Sequence, residues 1–199
     1  SLGRRNLIIN GAMQVAQRST SETGITSSGY HTLDRFRMIT SGATLSSSQE
    51  SLTLGQTDIP ETFQYFHRLQ ATTGNNNAGV EQRVENIVGL GGATVTLSFY
   101  AKGTNPGGGS LVVEFENYYG SGGSVNVAET TDSFTLTSSW QQFTVTKTLT
   151  SLTGKTVGTG SFLQVKFKQP DGDTSTDAWT LDITGVQLEV GSVATPFEH

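Results

Sequence analysis

Cysteine is missing from all 199 residues, proline occurs four times and histidine three times, and only 15% of the chain is charged. The lack of cysteine excludes a disulfide framework, a thiolate-bound zinc and a thiol nucleophile. It leaves the compartment open, because proteins assembled in a reducing cytoplasm and then released also avoid disulfides. Four prolines are too few for a proline-rich linker or a collagen-like segment. No apolar stretch approaches the roughly 18 residues of a membrane-spanning helix, and the N-terminus lacks the apolar run of a signal peptide. With a formal net charge of -5 and no basic run, neither nucleic acid nor membrane insertion is expected. The GxSxG, HExxH, phosphate-loop and calcium-loop signatures are also absent, and no cofactor is expected.

What the chain does have is glycine, 24 of 199 residues or about 12%, against a usual level of roughly 7%. It also has clear period-two alternation. In "ATVTLSFYAKG", Val95, Leu97 and Phe99 share one side while Thr96, Ser98 and Tyr100 share the other. "SLVVEFENYYGSGG" sets Leu111, Val113 and Phe115 against Glu114, Glu116 and Tyr118. "FLQVKFKQPDGD" sets Leu163, Val165 and Phe167 against Gln164, Lys166 and Lys168, and a Pro-Asp-Gly-Asp turn closes it. "WQQFTVTKTL", "VEQRVEN" and "FQYFHRLQAT" read as further strands. "AWTLDITGVQLEV" reads as one strand kinked at Gly185 or as two short ones. The rival to a strand at 65–70 is a helix capped by Asp58, with Pro60 in its first turn and Phe63, Phe66, His67 and Gln70 at helical spacing. The strand, with Tyr65, His67 and Leu69 on one side, is the stronger reading.

Strands at intervals of about ten residues, without heptads or repeats, predict an all-β fold: a jelly-roll β-sandwich of two antiparallel sheets, residues 1–199 forming one domain. At this length roughly 70% of the unfolded surface is buried on folding, enough for a core without staples. The opening "RRNLIINGAMQVAQRST" and the final "LDITGVQLEVGSVATPFEH" are expected to be its closing strands, with the termini close together and Arg4 and Arg5 a solvated leader. Trp140 and Trp179 are expected in the core, and His67 reads as a strand histidine and not a ligand.

Three features bear on chemistry. Asp171, Asp173 and Asp177 in "PDGDTSTD" read as solvated turn residues, so no metal is assigned. Glu114 and Glu116 lie on one side of a strand, about 6.5 to 7 Å apart, which is of the order that glycosidases use. A solvated sheet face is the commoner use of such a pair. If Val95, Leu97 and Phe99 point inward, Tyr100 points out, and Tyr118 follows by the same logic. Tyrosine rings beside Arg83, Glu114 and Glu116, with Lys166 nearby, make a surface for sugars, whose C–H faces stack on rings while hydroxyls meet polar groups.

The order "NLIINGAMQVAQR", "YHTLDRFRM", "VEQRVEN", "TVTLSFYAKG", "SSWQQFTVT" and "ITGVQLEVGSVATPFE" resembles bacteriophage and prophage virion proteins, particularly C-terminal modules of tail fibres, over essentially the whole chain. It is more distantly similar to carbohydrate-binding modules with a galactose-binding-like jelly roll. Those modules hold a structural calcium with an acidic residue after the first strand and paired aspartates before Val-x-Leu. Here Gln14 and Thr184-Gly185 stand near those places and Asp182 is displaced, so no calcium is carried over. The resemblance implies a module of a longer virion protein, assembled in the host cytoplasm and trimeric in its fibre, with other virion subunits and a host-surface glycan as partners. The expected function is adhesion without catalysis, through Tyr100, Tyr118, Glu114, Glu116 and Arg83. A structural decoration of capsid or tail and a glycan depolymerase using Glu114 and Glu116 are the alternatives.

Overall fold

The alternating stretches become strands because each leaves one apolar side to bury and one polar side to cover. A computed structural model describes residues 5–107 and 109–198, so Arg4 and His199 lie outside the described residues. The strands are β1 (Ser21–Ile25), β2 (Phe36–Ile39), β3 (Thr44–Ser51), β4 (Tyr65–Thr73), β5 (Gly79–Val84), β6 (Thr94–Thr104), β7 (Leu111–Tyr118), β8 (Val127–Ala128), β9 (Asp132–Phe134), β10 (Gln141–Thr148), β11 (Phe162–Lys168) and β12 (Trp179–Val190). The first sheet runs β1-β3-β4-β12-β6-β10. The second runs β2-β5-β11-β7-β8, with β9 beside the start of β7. The pairings are antiparallel, and the two sheets form a jelly-roll β-sandwich.

Between the sheets, Val95, Leu97 and Phe99 of β6 meet Val113 and Phe115 of β7 and Val165 and Phe167 of β11 in one core. Phe99 and Phe167 touch edge to face with centroids 5.0 Å apart, a favoured aromatic geometry. Trp179 is buried there as expected, its indole Nε1 donating to Gln169 Oε1 at 3.2 Å. The 65–70 stretch is strand, because alternation buries His67, Leu69 and Ala71 while pairing with β3 and β12 satisfies both edges of the backbone. His67 shares a hydrogen bond of 2.7 Å with Ser47 Oγ, which also contacts Thr32 Oγ1. Burial lowers its pKa to about 4, so the ring is neutral at pH 7.

The two ends meet, but not as two strands. β12 is one strand bulged at Gly185, the register against β6 shifting between Thr184 and Gln187. Gly185 has φ +60°, and a Cβ there would stand 2.7 Å from Phe63 Cζ, so glycine alone suits the bulge. Beyond the bulge β4 no longer pairs with β12, and the opening segment takes its place as an irregular strap. Leu7 N donates to Leu188 O at 2.8 Å and Val186 N to Gly11 O at 3.0 Å. The Asn6 side chain bridges Val186 O and Leu188 N. Asn10 and Met13, at φ +61° and +58°, break strand geometry, which is why alternation misreads this stretch. Arg5 is no free leader residue: its guanidinium pairs with Glu189 at 3.2 Å and donates to Pro196 O, while the backbone N–H groups of Arg5 and Asn6 donate to Glu198.

Candidate functional site

The site is built on the outer side of the second sheet. Because Val80, Phe115, Val165 and Phe167 point inward, their neighbours Glu81, Arg83, Glu114, Glu116, Gln164, Lys166 and Lys168 point away from the core. Cross-strand register then aligns them: Glu81, Lys166 and Glu114 in one row, Arg83, Gln164 and Glu116 in the next, and Phe162 opposite Tyr118 in a third. β2 adds Arg37 opposite Glu81. In the first row, Arg37, Glu81, Lys166 and Glu114, opposite charges therefore face each other directly, the stabilising arrangement for opposed residues, while in the second the neutral Gln164 stands between Arg83 and Glu116.

The pairing is thorough. Glu81 accepts from Arg37 at 3.2 Å, Arg83 at 3.1 Å and Gln164 at 3.1 Å. Lys166 bridges Glu114, at 3.0 Å, and Glu116. Lys168 reaches Glu114 at 3.2 Å, Asp171 at 2.7 Å and Asn77 Oδ1 at 2.6 Å. Arg37, Arg83, Lys166 and Lys168 thus balance Glu81, Glu114, Glu116 and Asp171. Burial alone would raise the Glu116 pKa, but hydrogen bonds and charge from Lys166, with Asn126 and Lys168, hold it below the usual carboxylate range. Burial alone would likewise lower Lys166, and its two carboxylates raise it.

At the end of these rows the half-buried rings of Tyr118 and Phe162 lie 4.5 Å apart with planes at 32°, and the Arg83 guanidinium stands 4.5 Å over Phe162. Four of the expected contact residues, Arg83, Glu114, Glu116 and Tyr118, are therefore together, but Glu114 is no open contact: at 5% accessibility its carboxylate is taken up by Lys166 and Lys168, so Arg83, Glu116 and Tyr118 are the ones within a ligand's reach. Phe162, Gln164 and Arg37 complete the surface. Phe162 was legible, since it shares the phase of Gln164 and Lys166 in the alternating stretch.

Tyr100 does not belong with them. β6 and β7 are consecutive in the chain but lie in different sheets, so the outward sides of Tyr100 and Tyr118 face opposite ways. Nor is Tyr100 exposed: at 5% accessibility it packs with Ala12, Ile59 and Phe63 under the 52–64 loop and the N-terminal strap. Its ring lies 5.9 Å from Phe63, and burial, with Glu61 nearby, raises its pKa. Trp140, expected in the main core, is half-buried beside this second cluster, edge-on to Phe66 at 5.4 Å with Lys102 over its ring at 5.1 Å.

The turn aspartates point apart. Asp171 pairs with Lys168, and Asp173 accepts from Gln169 Nε2 and Ser175 N. Asp182 accepts from Arg68 Nε and Nη2, each at 2.8 Å. Among the described residues no group of three or more His, Asp or Glu is placed to hold a metal ion.

No protein-family model matches the chain, and no curated protein matches its sequence. Solved structures do. A cyclase from Fischerella sp. TAU, in complex with 4-(1H-indol-3-yl)butan-2-one, matches over 94% of this chain and 98% of its own with a TM-score of 0.58 and 13% identity. The enzymatically active domain of bacteriophage CBA120 tailspike protein 4 matches over 94% of this chain and 21% of its own, at a TM-score of 0.54 and 13% identity. A "putative sugar binding protein" from Bacteroides thetaiotaomicron matches over 94% and 100%, at 0.53 and 14%. Carbohydrate-binding modules match at TM-scores of 0.45, 0.47 and 0.39. Similar sandwiches thus occur in a cyclase, in about a fifth of a tailspike chain and in a "putative sugar binding protein", so the fold alone assigns no activity.

Proposed function

We propose that this chain is a non-catalytic glycan-binding module of a phage virion appendage, a tail-fibre module presented for adhesion to the host surface. The observation that carries the glycan reading is the Tyr118–Phe162 ring pair beside rows of mutually paired charged groups. Such a surface offers a sugar ring an apolar platform and its hydroxyls many donors and acceptors, with no uncompensated charge to desolvate. The likeness of the fold to a sugar binding protein supports the glycan reading, and its likeness to part of a phage tailspike, with the resemblance of the motif order to tail-fibre modules, supports the virion one.

The absence of catalysis is argued from the carboxylates. A glycosidase needs one carboxyl held protonated near neutrality. Lys166 instead bridges Glu114 and Glu116, and Glu116 is held below its ordinary range. Single-site affinity is then weak, and display in several copies, such as a trimer, multiplies it by roughly 10² to 10⁴.

The test is a glycan array probed with the multivalently displayed chain, alongside Tyr118→Ala and Phe162→Ala variants checked for unchanged unfolding. Binding that the variants lose supports the reading. Failure of the displayed wild type to bind any glycan moves the assignment to a structural decoration contacting other virion subunits. Release of reducing ends that Glu114→Gln abolishes points to a depolymerase.

A further inference from the structure

The two terminal motifs meet at a pocket that the reading above leaves unused. Residues 6, 8–12, 14 and 15 of the strap and Phe197 and Glu198 of the closing motif, with Asp34 and Arg35, line about 300 Å³. Ile9 and Val15 keep 41% and 40% of their surface exposed there, and Phe197 supplies a ring. Asn6, Asn10 and Gln14 are its amides, and that of Asn6 is taken up by Val186 O and Leu188 N. The Asn10 amide is engaged by Val15 and Asp34 O, whereas Gln14 is exposed.

Arg35 is unusual in two independent ways. Its φ is +72°, a left-handed conformation that glycine or asparagine adopts at less cost than arginine. Among the described residues, it is also the one arginine or lysine whose side chain has no ion pair, hydrogen bond or ring partner. The neighbouring carboxylates are engaged elsewhere: Asp34 accepts from Gln17 N and faces Arg18 at 4.0 Å, while Glu198 accepts from Arg5 and Asn6 N–H. With Asn10 and Met13, three of the four non-glycine residues at positive φ among the described residues lie in or beside this pocket, and such outliers concentrate at ligand sites.

We infer that the pocket binds a compact carboxylate with an apolar ring face, the chemistry of a uronic acid residue, through Arg35. A guanidinium presents two parallel N–H groups that match a carboxylate. The walls of Ile9, Val15 and Phe197 meet a C–H face, and Gln14 meets hydroxyls. A phosphate would call for several convergent donors, and among the described residues one unpaired cation, Arg35, lines the pocket. None of these residues belongs to the second-sheet face, so the inference does not rest on that face binding glycan.

The experiment is an NMR titration of the isotope-labelled 199-residue chain with methyl β-glucuronide, methyl β-glucoside and inorganic phosphate. Glucuronide is expected to shift backbone signals of residues 9–15 and 35, with at least about tenfold weaker response to the glucoside. Arg35→Asn, which suits the same φ, is expected to lower glucuronide affinity at least about tenfold at unchanged Tm, while Tyr118→Ala leaves it unaltered. Arg35→Gly serves if the asparagine variant does not fold. No shift with glucuronide, an equal response to glucoside, tighter binding of phosphate, or unchanged affinity without Arg35 each overturns the assignment.

Discussion

The two outer faces of the sandwich use their polar-facing positions in opposite ways. On the first sheet, Tyr100 is covered by a loop and a strap, which turn an outward position into a second small core with Phe63, Ile59 and Ala12. On the second sheet, the outward positions are filled by charges that bury one another: Glu81, Glu114 and Lys168 are nearly inaccessible, yet none faces the main core. Apolar cover therefore gives the first face stability, whereas mutual ion pairing leaves the second face shallow, polar and open beside a ring pair. The largest effect expected from this contrast is at Tyr100. Tyr100→Ala removes a ring from a packed cluster and should cost about 3 kcal/mol in denaturant unfolding. Glycan binding by the folded fraction should not change. A loss of binding with little loss of stability would show that this tyrosine belongs to a ligand surface after all.

Acid distinguishes both faces from the layer between them. The folded-state pKa of His67 is about 4, below its ordinary value of 6.5. Its neutral burial thus contributes stability that is fully present above pH 6.5 and is lost as pH falls through 4. At about 1.4 kcal/mol per unit, the loss approaches 3 kcal/mol. Stability measured from pH 7 to pH 4 should fall by that order, and His67→Gln should remove most of the slope between 6.5 and 4. If the slope persists in the variant, the carboxylates of the second face account for it instead.

How much of this was legible in the sequence differs by level. Alternation identified which side of its own strand each residue takes, so Phe99 inward and Tyr118 outward were readable. It carries no information on which sheet a strand joins, and so Tyr100 and Tyr118 were read as neighbours although β6 and β7 lie in opposite layers. The strap was misread for a different reason. Its apolar residues have strand-like spacing, but Asn10 and Met13 at positive φ turn the chain, and tertiary contact with β12 decides its course. Trp140 was assigned to the core because it leads a strand after a Ser-Ser turn, but its place beside Phe66 and the second cluster is set by tertiary contacts that no periodicity encodes.

Within the second face, Lys166 is the residue that both carboxylates share. Lys166→Met leaves Glu114 its contact with Lys168, but leaves Glu116 only the hydrogen bond from Asn126 and the charge of Lys168 at longer range. The expected cost is about 1 to 2 kcal/mol, since Glu116 remains partly solvated. The Glu116 carboxyl should titrate higher than in the wild type, measured by NMR. Because its folded pKa is depressed, its contribution is present above the unfolded value and disappears as pH falls through the folded one. The variant should therefore lose part of the acid sensitivity of the wild type. A carboxyl titration unmoved by the substitution would mean that backbone or solvent, and not Lys166, sets the charge state of this face.

The smallest effect on stability is expected where binding should change most. Tyr118 is half-buried, stacked on Phe162 at a strand end and not covered by a loop, so Tyr118→Ala should cost about 1 kcal/mol or less. Its ring nevertheless forms half of the platform on which a sugar would stack, and removing it should weaken glycan binding about tenfold, or about 1.4 kcal/mol. Tyr118→Phe keeps the ring and loses only the hydroxyl, so it should bind nearly as the wild type does if stacking dominates. A phenylalanine variant as weak as the alanine one would place recognition in the phenolic hydrogen bond. The charged rows would then act as the principal contact surface, with the ring pair holding them in place.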